Sequence, residues 1–160
     1  PLVGMNMGGS AMVGQNLGIN NIERARKTAG TTAFISFSIM FFFVLIAFFA
    51  GEIVLGIFNK DPEIVKYGTE FLRYGSLGIS ILAYGFGLSS VFGGSGYNLP
   101  FVISSITSRW FVQIPILFIM VHLLKASIIW VWLSYVFSDV TEALVMLIYY
   151  RKGKWEKKRA

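Results

Sequence analysis

Three charged side chains stand deep inside otherwise apolar stretches of this 160-residue chain: Arg109, Asp139 and Glu142. A charge at the centre of a membrane span costs about 2.5–3.5 kcal/mol on insertion scales, so such groups face one another or a wet cavity. Asp139 and Glu142 are three apart, which sets both on one helix face. Arg109 lies nine residues after Pro100, and Glu142 nine residues before Arg151. With those two residues taken as one membrane surface, both side chains lie roughly 13 Å deep at ~1.5 Å per residue. An Arg109–Glu142 ion pair between antiparallel helices is therefore expected, with Asp139 nearer the midplane and assisting. Such a pair either fixes helix register or takes part in cation coupling or gating. Glu52, about two turns from the end of another apolar stretch, either faces a water-filled cavity or reaches the interface and pairs locally. Gln113 and His122 are expected to hydrogen-bond within the bundle.

Enzymatic chemistry has nothing to stand on here. No Gly-rich phosphate loop, metal-ligand cluster or catalytic triad is visible. With no Cys, thiolate nucleophiles and disulfides are excluded, and a single His leaves a histidine-built metal site without ligands. Six of the 14 Lys and Arg residues crowd the last ten positions: Arg151, Lys152, Lys154, Lys157, Lys158 and Arg159. A basic run directly after an apolar stretch is the flank of a membrane span, and nucleic acid is not an expected partner.

The elements that carry these residues must be membrane helices. Hydrophobic residues make up 55% of the chain and charged residues 14%, against about 25% charged in a soluble domain. Four stretches approach the ~20 apolar residues that a span requires: 31–58, 76–92, 100–122 and 127–149. Together they hold 4 of the 22 charged side chains. The fold class expected is an all-α, polytopic membrane helix bundle whose exterior partner is the lipid bilayer. Residues 1–20 read as the end of a truncated transmembrane helix, 21–30 as a cytoplasmic loop, 31–149 as a four-helix transmembrane bundle and 150–160 as a basic cytoplasmic tail. The Lys and Arg count supports that orientation, with Arg24, Arg26, Lys27 and the tail on the cytoplasmic side of a multi-pass cell-membrane protein.

Local signals refine the picture. Asp61-Pro62-Glu63 has an N-cap, Pro at the first helical position and an acid in the first turn, opening a short amphipathic stretch to Tyr74. Asn98-Leu99-Pro100 opens a span in the same way, and Pro115 deep inside it should kink the helix. Ser10, Gly14 and Gly18 form a small-residue stripe at four-residue spacing, as do Gly85, Ser89 and Gly93. Both stripes favour close helix packing, and in the second the glycines also permit bending.

The run Val13-Gly14-Gln15-Asn16-Leu17-Gly18, followed by Asn21, Glu23, Arg24, Ala25 and Arg26, resembles the multidrug and toxic compound extrusion (MATE) family. Asp61-Pro62-Glu63 with Phe71-Leu72-Arg73, the link Gly93-Gly94-Ser95-Gly96 and Ile114-Pro115 follow in the family's order. The resemblance implies one partial and four complete helices of the second lobe in a two-lobe, twelve-helix transporter. Its partner would be a missing N-terminal lobe of the same protein. It further implies antiport by alternating access, exporting small amphipathic, often cationic drugs against inward Na+ or H+, with no cofactor beyond that ion. Two departures stand out. The stretch 77–92 has no carboxylate where some members carry an acidic cation ligand, and Gln113 precedes Ile-Pro where Arg is common. Coupling would then depend on carboxylates in the first lobe. The alternatives are a lipid-linked saccharide flippase of the same superfamily and a self-contained homo-oligomeric four-helix exporter or channel with Glu52 as its essential carboxylate.

Overall fold

The computed structural model describes residues 1–157, so Lys158 and Arg159 of the basic run lie outside the described residues. The described chain is helical throughout, with no strand among the described residues. It runs through α1 (Leu2–Gly18), α2 (Ile22–Phe58), α3 (Pro62–Glu70), α4 (Ile79–Leu88), α5 (Ser90–Gly94), α6 (Leu99–Ser108), α7 (Ile114–Leu117) and α8 (Ile129–Arg151). Among the described residues, three helices are long and apolar enough to cross a bilayer: Ile22–Phe58, Leu99–Leu123 and Ile129–Arg151. A bent pair, Pro62–Gly75 with Ile79–Gly94, meets the same test when joined across its 48° bend. Large apolar side chains cover the outside, among them Phe42, Phe49 and Phe58 of α2 and Trp110 and Phe111 of the α6–α7 stretch. Water does not tolerate such a surface and lipid does, so the chain is a multi-pass membrane helix bundle.

Segment 21–30, expected as a loop, is instead the start of α2. Asn21 caps that helix by accepting from the Arg24 backbone N–H at 3.0 Å. The reversal from α1 needs only Asn20, whose φ of 59° is the left-handed conformation that Asn tolerates. Asn16 closes the same turn: its carbonyl accepts from the Asn21 N–H at 2.8 Å, and its side chain donates to the Met12 carbonyl at 2.7 Å. The Gly14-Gln15-Asn16-Leu17-Gly18 motif thus builds a tight helix hairpin, with Asn16 and Leu17 buried and Gln15 exposed. Three alanines, Ala25, Ala29 and Ala33, form the buried stripe of α2.

Small residues decide how the layers meet. α4 lies between α2 and α8, α8 packs in turn on α6, and α1 packs on α2 and α5. A Cβ on Gly85 would sit 2.7 Å from the Ala143 Cα of α8, and one on Gly87 would run into the backbone of Ala33 in α2. The Gly85, Ser89, Gly93 stripe therefore serves two neighbours rather than one: Gly85 meets α8, whereas Ser89 and Gly93 meet α1 through Asn6 and Ser10. On α1 the stripe stops short, because Gly14 abuts Gly94 but nothing lies within 4 Å of a Cβ on Gly18.

Leu99–Leu123 runs on past Pro115 as one 25-residue apolar span. The helix absorbs the proline by widening on both sides, into π turns at Arg109–Gln113 and Phe118–Leu123. The Ile114 N–H reaches back five residues to the Arg109 carbonyl, which makes room for the ring that would strike a carbonyl in a normal ladder.

The tail also departs from a plain charged flank. Trp155, in a single 3-10 turn (Lys154–Lys157), is fully buried among Val13, Leu17, Ala25, Ala29, Val91 and Phe92. Its indole N–H donates to the Tyr150 carbonyl at 3.0 Å, and its ring stacks on Tyr150 at 5.8 Å. Arg26 lies 5.9 Å over the indole and pairs with Glu156. Gly153, at φ 65°, supplies the reversal that brings this turn back onto the helix ends.

Candidate functional site

α6, its π turn and α8 bring Arg109, Asp139 and Glu142 together, as the depth argument required. The order of partners differs. Arg109 Nη2 donates to Asp139 Oδ1 at 3.2 Å and stands 3.5 Å from Glu142 Oε2, which it approaches as a charge without a hydrogen bond. Asp139 is thus the directly bonded partner, not the assistant. Equal depth put Arg109 opposite Glu142, but the guanidinium reaches one helical turn along α8 toward Asp139. Both carboxylates are buried, with side chains 6% and 8% exposed, whereas Arg109 is 38% exposed.

Serines complete the arrangement. Ser105 donates to Glu142 Oε1 at 3.0 Å and Ser108 to Oε2 at 3.1 Å. The Ser108 hydroxyl also lies 3.1 Å from the Ser105 carbonyl, so its single proton has two acceptors to choose between. The other arm of the guanidinium donates to Gln113 Oε1 at 3.1 Å and Ser138 Oγ at 3.0 Å, and Ser138 donates onward to the Ser108 carbonyl at 3.1 Å. Sequence reasoning placed Gln113 in the bundle but missed all three serines. Their signal was spacing: Ser105 and Ser108 precede Arg109 by four and one, and Ser138 precedes Glu142 by four. Gly78 lets α8 close in, since a Cβ there would lie 2.8 Å from the Asp139 Cβ.

One cation among two carboxylates leaves this buried cluster with one negative charge in excess when all three are ionised. The excess is not sealed off. A cleft of about 450 Å3 opens onto Arg109, Gln113 and Asp139, walled by Phe71, Gly75, Ile79, Leu82 and Tyr135. Phe71 contacts Trp132 and Tyr135 edge-on, at 5.1 and 5.8 Å between ring centres. Two of the three widened turns, Phe71–Gly75 and Arg109–Gln113, border this cleft. Such turns free backbone groups and mark functional positions in helices. Glu142 sits behind, between α6 and α8.

The remaining expected residues fall elsewhere. Glu52 is exposed and lines a separate cleft of about 520 Å3 with Lys60, Lys66, Glu70 and Arg73, at the end of α2 remote from Trp155. It makes no ion pair among the described residues. Arg73 there donates to the Phe48 carbonyl at 3.3 Å. His122 is exposed, its ring 5.4 Å from Phe118 rather than hydrogen-bonded inside the bundle. No group of three metal-ligating side chains occurs among the described residues.

Comparison with known proteins adds independent evidence. The chain is 23% identical over 158 residues to a protein named "Probable multidrug resistance protein NorM" from Thermotoga maritima, covering 99% of this chain and 34% of the relative. It is 24% identical over 164 residues to "Probable multidrug resistance protein YoeA" from Bacillus subtilis, covering 99% and 34%. It is 22% identical over 149 residues to "Probable multidrug resistance protein YpnP" from the same organism, covering 92% and 33%. The chain spans about a third of the length of these relatives. No solved structure matches it. The profile of the MatE family matches residues 1–119, about three quarters of the sequence, and carries the hairpin motif, both stripes of small residues and Arg109: the chain belongs to the MatE family.

Proposed function

We propose that this chain forms most of the second lobe of a secondary-active exporter that moves amphipathic, often cationic drugs outward in exchange for Na+ or H+. The observation that carries the reading is the Arg109–Asp139–Glu142 cluster, a buried excess carboxylate beside an open cleft in a bundle otherwise built from apolar and small residues. An uncompensated charge at this depth is costly, so the cluster favours picking up a proton or a small cation before the helices move past lipid. Ser108 suits that exchange. With Glu142 ionised its hydroxyl donates to the carboxylate; with Glu142 protonated the carboxyl donates to Ser108, which turns to the Ser105 carbonyl. Both states leave every group paired. The names of the relatives support drugs as cargo, and Phe71, Trp132 and Tyr135 offer the aromatic faces that organic cations favour. Alternating access then follows from two lobes rocking about the cleft, with the basic tail of this one in the cytoplasm.

The test is drug efflux from proteoliposomes holding the complete protein, driven by an imposed Na+ or pH gradient. Asp139→Asn and Glu142→Gln should lower gradient-driven efflux about 10-fold or more while folding yield is kept, as expected when a group acts in the transport step itself. Full gradient-driven efflux in both variants would remove this cluster from coupling and leave it the task of fixing helix register.

A further inference from the structure

A third groove, about 560 Å3, runs between α1 and α2 and differs in kind from the Arg109 cleft. Its charged lining residues are both cations, Arg24 and Lys27, and neither has an acidic partner among the described residues. Thr28 and Thr31 follow them on the same helix and add hydroxyl groups below the charges. Further in, the lining turns apolar, with Met12 and Ile35 as walls and a floor left open at Gly4 and Gly8. Nothing lies within 4 Å of a Cβ built on either glycine, whereas one on neighbouring Gly9 would meet Thr32 at 2.7 Å. The helices are therefore pressed together at Gly9, while the space over Gly4 and Gly8 beside it stays open. From Arg24 to Ile35 it extends roughly 16 Å at ~1.5 Å per residue, from the start of α2 into its apolar length.

That sequence of head and walls has the polarity of one lipid molecule. Two cations repel the cationic drugs of the proposed exporter, so the groove is not an extension of its cargo site. They suit a phosphate diester held at headgroup level, with the threonine hydroxyls near the glycerol and the glycine floor under an acyl chain. We infer that the α1–α2 groove is a binding site for a single anionic glycerophospholipid, held by Arg24 and Lys27 at its head and by the Gly4–Gly8 floor along its chain.

The complete protein in detergent is titrated with phosphatidylglycerol, phosphatidylcholine or inorganic phosphate, and read by native mass spectrometry and by melting temperature. One phosphatidylglycerol should be retained in preference to phosphatidylcholine, and affinity should fall about five-fold for each of Arg24→Gln and Lys27→Gln. Gly8→Leu, placed where there is open space in a helix, should abolish retention without lowering the melting temperature of the lipid-free protein, which stays the same or rises slightly. Equal retention of phosphatidylcholine would overturn the inference, as would stabilisation by inorganic phosphate alone. A Gly8→Leu protein that melts lower without lipid would also overturn it, by showing that another segment of the protein fills the groove.

Discussion

Replacing Arg109 by Gln takes the only cation away from two buried carboxylates and so tests how the polar cluster is wired. Breaking a buried ion pair from one side costs about 3–5 kcal/mol. Arg109 is 38% exposed to its cleft, and water there screens part of the loss, so the expected cost lies near the lower end, about 3 kcal/mol. The two carboxylates should not share it equally. Asp139 accepts a charged hydrogen bond at 3.2 Å, worth about 1.5–3 kcal/mol, whereas Glu142 at 3.5 Å keeps its Ser105 and Ser108 donors when the guanidinium is gone. A double-mutant cycle pairing Arg109→Gln with Asp139→Asn should therefore give a coupling of about 1.5–2 kcal/mol. The cycle with Glu142→Gln should give less than about 1 kcal/mol. Reversible unfolding in mixed detergent micelles measures both. Additive costs for Arg109 and Asp139, or a Glu142 coupling as large as that of Asp139, would refute the wiring drawn from these distances.

Three further predictions concern the packing. Trp155→Ala should cost about 3–5 kcal/mol, because the ring is fully buried and holds its own hydrogen bond, and thermal melting with and without the substitution reads it directly. Gly87→Ala should lose about 1–3 kcal/mol by forcing α4 off the Ala33 backbone. Gly30→Ala, with nothing within 4 Å, should instead gain about 0.5–1 kcal/mol in the same assay.

The fold was legible because lipid imposes a coarse rule on composition: apolar runs of the right length, with charges expelled to their ends. Caps were legible for a local reason, as with Asp61, whose carboxylate accepts from the Glu63 N–H at 2.9 Å. Asn21 shows where local reading stops. Basic residues after a glycine-containing stretch look like a loop, yet the cap and the alanine stripe beyond it carry α2 straight through them. In the polar cluster, one-dimensional depth found the three charged partners but not their order, since rotation of α8 about its axis decides whether Asp139 or Glu142 meets the guanidinium. The serines escaped because Ser is common in membrane helices and declares a role only when a carboxylate stands across from it. Trp155 escaped because the lysines around it read as a solvated run, and only the reversal at Gly153 turns the ring inward.

The docked Trp155 turn joins the two extremes of the sequence, Arg26 to Glu156, and so bears on the order of assembly. During synthesis at about 5–20 residues per second, α1 and the start of α2 wait several seconds for the residues that close over them. Val13, Leu17, Ala25 and Ala29 lack the cover of the indole throughout the interval.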